Sequence, residues 1–258
     1  AKFEPKHAGK KKEGGLAGIV AGDSAICTCG VEGHGLSYRG YAIEDLTEKG
    51  SFEEVAWLLT KGDVATGEEL RAYRARLASL RSLPPGLCDM LERIPAGTNP
   101  MDVLRSGVSF LGNLTPESEE HGQEQIAEEL IARLPAILMY WYRWQRDGVR
   151  IDLDIEHEDS ADYLLRLLTD EKPDELLRRA LDVSLILYAE HDFNASTFTA
   201  RIITSTMSDF YSAVTGAIGA LRGPLHGGAN EAAMRLISRY SSPEEAERGL
   251  KESLERKE

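Results

Sequence analysis

Cysteine is scarce in this sequence of 258 residues and badly placed for cross-linking: Cys27 and Cys29 flank a single residue, and Cys88 stands alone. A disulfide framework is excluded and a reducing compartment is expected. Long apolar runs are also missing. The longest candidates, residues 213–221 and the stretch around 185–189, fall well short of the roughly 20 residues that span a bilayer, so nothing here is expected to cross a membrane. Positive charge is in deficit as well. Thirty Lys and Arg against 43 Asp and Glu leave a net charge of -13, which repels nucleic-acid phosphates and anionic lipid headgroups. Neither nucleic acid nor a membrane surface is an expected partner.

Several catalytic signatures are absent too: no Gly-x-Gly-x-x-Gly after a strand, no Gly-Lys-Ser/Thr phosphate loop, no His-Glu-x-x-His and no Gly-x-Ser-x-Gly. Cys27-Thr-Cys29 with His34 admits a metal reading, but a closed zinc site needs a fourth donor and a wider spacing, so packing thiols are the better expectation. No metal site is expected.

What is present is a chain with 42% hydrophobic and 28% charged residues, enough to bury a sizeable core. Residues 1–15 carry six basic side chains counting His7 and no apolar segment, which reads as a mobile basic tail. Residues 16–24 with Ile26 and Cys27 alternate in the manner of a small ribbon. From Ile43 onward the pattern is helical. Ser51 and Thr66 each stand three residues before a glutamate, Glu54 and Glu69, and so can close capping boxes. Pro84-Pro85 is expected to end the second of these helices. Further helices are predicted over 101–111, 125–145 with a kink at Pro135, 162–168, 174–190, 195–207 and 209–221. One more follows Gly228, and a solvated helix covers 243–258. Residues 148–160 read as a charged loop. The expected architecture is all-α, a multi-helix domain over 16–258 with a short N-terminal β ribbon.

Two histidines stand out. His191 continues the spacing of Ala180, Ser184, Leu187 and Tyr188, which predicts a ring on the buried face of a helix near its C-terminus. The dipole there favours imidazolium, suited to an anionic substrate; a hydrogen-bonded core histidine is the alternative. Asn194 can start the next helix. His226 precedes Gly227 and Gly228 at the start of a helix, where a neutral ring could donate to developing oxyanion charge. The glycines could equally be helix-start punctuation.

Tyr188-Ala-Glu-His191-Asp-Phe-Asn194-Ala-Ser196-Thr-Phe198 and Leu221-Arg-Gly-Pro-Leu-His226-Gly-Gly-Ala-Asn-Glu231 resemble the citrate synthase family. Tyr38-Arg-Gly-Tyr41, Ser51-Phe-Glu-Glu-Val-Ala56 and Asn99-Pro-Met-Asp-Val-Leu104 resemble further stretches of it in the same order. Leu16-Ala-Gly-Ile-Val-Ala-Gly22, Ala25-Ile-Cys-Thr28 and Leu138-Met-Tyr-Trp-Tyr142 are most similar to the 2-methylcitrate synthase branch.

The resemblance implies a Claisen-type condensation of an acyl-CoA, propionyl-CoA in that branch, with oxaloacetate. It needs no cofactor, the CoA thioester being a substrate. His226 matches the histidine that stabilises the enol, His191 the one that holds oxaloacetate, with Asn194 beside it as a substrate-binding residue. The resemblance further implies a homodimer and a cytoplasmic location, with the mitochondrial matrix as the alternative. The family's small domain, with its catalytic aspartate, a second histidine and carboxylate-binding arginines, is expected to be absent from residues 1–258. Acetyl-CoA as the acyl donor, or an inactive dimerisation domain, are the competing expectations. The small residues Ser212, Ala213, Gly216, Ala217 and Ala220 are expected at the dimer contact.

Overall fold

The computed structural model describes residues 20–29 and 35–256. The predicted basic tail, His34 and the first part of the predicted ribbon lie outside the described residues. The remainder of that ribbon is displaced: residues 20–26 form no strand, and a small antiparallel sheet instead joins β1 (Cys27–Thr28), β2 (Ser37–Tyr38) and β3 (Tyr41–Ala42) in that order. Pairing is supplied by the Tyr38–Tyr41 motif rather than by the upstream alternation, whose Gly22 sits at a positive φ of 156° against the Phe193 ring.

Twelve helices make up the rest of the described chain. The first three, α1 (Ile43–Lys49), α2 (Phe52–Lys61) and α3 (Gly67–Ser79), follow the local signals closely. Both predicted capping boxes are formed, Ser51 with Glu54 and Thr66 with Glu69. The proline pair does the opposite of what was expected. Helix α3 stops at Ser79, five residues before Pro84, and Pro85 occupies the first turn of α4 (Pro85–Arg93), where a missing N–H is harmless.

Helix α5 (Pro100–Leu114) and the 25-residue α6 (Gln123–Asp147) come next, the latter continuous through Pro135. Along α6, Ile126, Leu130, Ile137, Tyr140 and Trp141 are buried against Leu87 and Leu91 of α4 and Val103, Val108 and Leu111 of α5. They also meet Tyr211 and Ile218 of α10 (Phe210–Leu221), so α6 is the axis of the main core. At the α5–α6 crossing, a Cβ on Gly107 would lie 2.9 Å from Ile137, so only glycine permits this approach.

Helices α7 (Ser160–Thr169), α8 (Glu175–Tyr188) and α9 (Ala195–Thr204) complete the frame around the site, followed by α11 (Gly228–Ile237) and α12 (Pro243–Arg256). Helix α8 is fastened to the α1–α2 junction by two polar residues. Asp182 accepts from the backbone N–H of Phe52 at 2.8 Å, and Arg179 donates to the carbonyl of Gly50 at 2.8 Å and pairs with Asp182. Ile186 on the same face packs with Tyr38, Ile43, Val55 and Leu58.

That face differs from the expected one. Asp182 and Ile186 are buried, while Ala180, Leu187 and Tyr188 are exposed, so the stripe that led to His191 points outward. Burial of Asp182, with half-buried Arg179 beside it, inverted the apolar pattern, because both have partners on the α1–α2 side. The small residues of α10 also depart from expectation. Ala213 is buried within the chain, and Gly216 faces Ile203 and Thr199 of α9, so the stripe is at least partly spent on packing α9 against α10.

Candidate active site

The end of α8 is set by a residue 150 positions upstream. The buried hydroxyl of Tyr38 lies 3.0 Å from the carbonyl oxygen of Ile186, 3.3 Å from that of Leu187 and 3.1 Å from that of Glu190. It also accepts from the N–H of Glu190 at 3.3 Å. Carbonyls of the last turn of a helix lack intrahelical donors; here Ala189 donates its N–H to Ile186 at 3.2 Å, and the single phenol proton of the Tyr38–Tyr41 motif is within reach of the others.

The chain then turns through Asp192, at a positive φ of 56°, before α9 begins. His191 therefore lies in a loop and not on a helix; its ring is exposed, with Nε2 3.8 Å from the Cys29 thiol. The expectation of a half-buried ring on the α8 face is corrected, because the helix ends three residues too early for its periodicity to reach residue 191. Beside it, burial pushes the Glu190 carboxyl and the Cys27 thiol above their ordinary ranges.

Asn194 is the N-cap of α9. Its Oδ1 accepts from the backbone N–H groups of Ser196 at 3.1 Å and Thr197 at 3.0 Å, which fixes the orientation of the amide. The same oxygen is 2.6 Å from the Ser196 hydroxyl. Since Oδ1 can only accept, Ser196 donates its single proton there. The Ser196 oxygen is also 3.0 Å from Nε2 of His226; while its proton points to Asn194 it can only accept there, from a proton on Nε2, and when the proton turns to Nε2 a neutral ring holds its own proton on Nδ1. The capping residue Asn194 and the ring of His226, 30 residues from Ser196, thus compete for one hydroxyl proton. The other nitrogen, Nδ1, is left for other partners.

His226 itself is half-buried in the tight turn between α10 and α11, where its N–H donates to the carbonyl of Gly223 at 3.0 Å. A Cβ on Gly227 or Gly228 would meet the backbone of residues 221–223, so both positions need glycine for the turn to close. Helix α11 opens at Gly228 itself. Asn230 donates to the Tyr188 hydroxyl at 3.0 Å, a second tie between the two motifs. The Asn99–Leu104 motif reaches the same region, with Asn99 3.5 Å from Glu231, and Asp102 pairs with Arg222 at 3.3 Å.

The structure therefore brings Asn194 and His226 together through Ser196, and places His191 in the loop that leads into Asn194. Ser196, Tyr38 and the Tyr188–Asn230 pair were not singled out from the sequence. Only their presence inside the family-like motifs marked them. Among the described residues no group of three or more His, Cys, Asp or Glu side chains could hold a metal ion, and no helix is long and apolar enough to cross a membrane.

The family model described as citrate synthase, C-terminal domain, matches residues 15–258. The chain belongs to the citrate synthase family. It is 53% identical over 244 residues to the 2-methylcitrate synthase of Shewanella oneidensis, covering 95% of this chain and 65% of that protein. With 2-methylcitrate synthase 2 of Corynebacterium glutamicum it shares 42% identity over 251 residues, covering 94% of this chain and 65% of the relative. The crystal structure of citrate synthase from Thermotoga maritima superimposes with a TM-score of 0.80 at 34% identity, over 94% of this chain and 64% of the other. The chain thus spans somewhat less than two thirds of the length of the relatives it matches. The all-α architecture and the family expectation hold.

Proposed function

We propose that the protein containing this chain condenses propionyl-CoA with oxaloacetate and water to give 2-methylcitrate and CoA. Support comes from the Ser196–His226 contact, which unites the two most specific motifs in one site, and from relatives named 2-methylcitrate synthase.

In this proposal the thioester loses its α-proton to a base outside the residues assigned here, and its carbonyl becomes an enol whose oxygen faces Nδ1 of His226. The α-carbon then bonds to the keto carbon of oxaloacetate, whose oxygen takes up a proton. Water cleaves the thioester C–S bond, leaving a carboxylate and the CoA thiol. His226 donates from Nδ1 when Ser196 turns its proton from Asn194 toward Nε2, since the neutral ring then carries its own proton on Nδ1. His191 and Asn194 hold oxaloacetate. An exposed loop position gives His191 direct access to a dianion entering from solvent, which suits substrate binding better than a core role does.

Steady-state comparison of the two acyl donors tests the assignment. Propionyl-CoA is expected to give the higher kcat/KM, with 2-methylcitrate identified by mass. One methylene is worth about 1–3 kcal/mol of discrimination, so a preference for acetyl-CoA would transfer the proposal to citrate synthase, the activity named for the Thermotoga maritima structure. We further propose a homodimer, supported by the exposed apolar side chains Leu187, Tyr188, Ile202, Met207 and Leu225 around α8, α9 and the α10–α11 turn.

A further inference from the structure

A cleft of about 510 Å³ opens between α2, α3 and the loop leading into α7, with Glu53, Arg74, Arg81, Glu156, His157 and Glu158 among its walls. No residue of the 188–198 or 221–231 motifs lines it. Two charged side chains in it are almost wholly buried, Glu53 at 1% and Arg81 at 4% exposure. The Arg81 guanidinium stacks 3.8 Å from the Tyr163 ring and donates from Nη2 to the Ser160 hydroxyl at 3.3 Å. Its Nε and Nη1 are buried with no partner. Glu53 accepts from the Ser160 N–H through Oε1 at 2.7 Å, while its Oε2 is buried with no partner. Nε of Arg74 is likewise unpartnered.

Buried charges with open hydrogen-bonding positions are costly unless something fills them. Here the open set contains both signs, donors on Arg81 and Arg74 and an acceptor on Glu53. The surroundings decide the charge of the filler. Five carboxylates line the cleft, Glu53, Asp154, Glu156, Glu158 and Asp159, against two arginines. Arg178 answers Asp159 and Lys172 answers Glu158, which leaves Asp154 and Glu156 without an ion-pair partner among the described residues. Burial lowers the pKa of His157, which disfavours a further cation there. Polyanions such as nucleoside phosphates or di- and tricarboxylates are disfavoured by that field. A ligand that fits must bring a single anionic acceptor for the arginines and positive donors for Glu53 and the rim.

We propose that this cleft binds a free α-amino acid with a cationic side chain, its carboxylate on Arg81 and Arg74 and its positive groups toward Glu53, Asp154 and Glu156. Calorimetric titration of L-arginine and L-lysine into the full-length protein tests this, with L-glutamate and citrate as contrasts. Saturable binding of the basic amino acids at one site per chain is expected, at least about tenfold tighter than either contrast. Arg81→Met removes a buried group and can unfold the domain, so Arg74→Met and Glu156→Gln carry the test. Glu156 is exposed, and its loss is expected to weaken L-arginine about threefold with the melting temperature unchanged. The proposal is overturned if no saturable heat appears up to about 20 mM, which would leave the open positions to water alone. Glutamate or citrate binding as tightly as arginine would overturn it equally.

Discussion

The hydroxyl of Ser196 lies between Asn194 and Nε2 of His226, 2.6 Å from one and 3.0 Å from the other, and can donate to only one of them at a time. Which one it chooses decides whether the proton of a neutral His226 sits on Nε2 or on Nδ1. Ser196→Ala removes this control without touching the backbone donors that Asn194 caps. The variant should lose about tenfold in kcat, equivalent to about 1.4 kcal/mol, with little change in the KM for oxaloacetate. Ser196→Thr, which keeps the hydroxyl, should recover most of it. Unchanged kcat and an unchanged pH profile in the alanine variant would make the contact incidental.

His226→Ala should be more severe. A preorganised donor to developing oxyanion charge contributes about 3–4 kcal/mol to the barrier, or on the order of a hundredfold or more in kcat. Oxaloacetate affinity should change much less. Turnover close to wild type in the full-length protein would sink the role assigned to this ring.

For His191 the loop position sharpens the test. An exposed ring has little to contribute to stability, so His191→Ala should leave the melting temperature within about a degree or two, as exposed positions usually do. Its effect should fall on oxaloacetate affinity, read by calorimetry. A loss of stability with affinity intact would restore the core-histidine alternative that the sequence left open.

Tyr38→Phe asks what holds the loop in place. The phenol is fully buried, and its oxygen serves the end of α8 at Ile186, Leu187 and Glu190. Deleting it removes the side-chain donor at the end of α8, where the Ile186 carbonyl keeps the N–H of Ala189 at 3.2 Å, so the cost is expected at about 1 kcal/mol, that of one net hydrogen bond. Denaturant unfolding should show that loss, and the KM for oxaloacetate should rise because residues 189–193 lose their anchor. Stability equal to the parent would mean that water replaces the phenol at no cost.

Local signals were legible and non-local ones were not. Ser51 with Glu54 and Thr66 with Glu69 need only three residues of context, and both capping boxes formed as expected. Asn194 as a helix start is equally local. His191 was misplaced because the end of α8 depends on Tyr38, which no window around residue 188 contains. Pro84-Pro85 misled because proline both stops and starts helices, and only the early end of α3 at Ser79 shows which applies. Ser196 was visible as a residue of a motif, but its bond to His226 spans 30 positions and exists only in the fold.

Gly216 makes the same point for assembly and supplies the last prediction. The sequence offered the small residues of α10 as a dimer contact, where Gly216→Leu would push a dimer toward monomer or aggregate. In the structure a side chain there meets Ile203 and Thr199 of α9 in the same chain. Gly216→Leu should therefore overpack α9 against α10 and lower stability by about 1–3 kcal/mol, whatever the oligomeric state. The better probe lies on the outer face of α9, where Ile202 is 53% exposed and free of that crossing. If α9 helps form a two-fold contact, Ile202→Glu places like charges at or near the axis and should shift sedimentation from dimer to monomer with the far-ultraviolet spectrum unchanged. A variant that still sediments as the parent dimer would take α9 out of the interface, and a parent protein that sediments as a monomer at micromolar concentration would remove the dimer altogether.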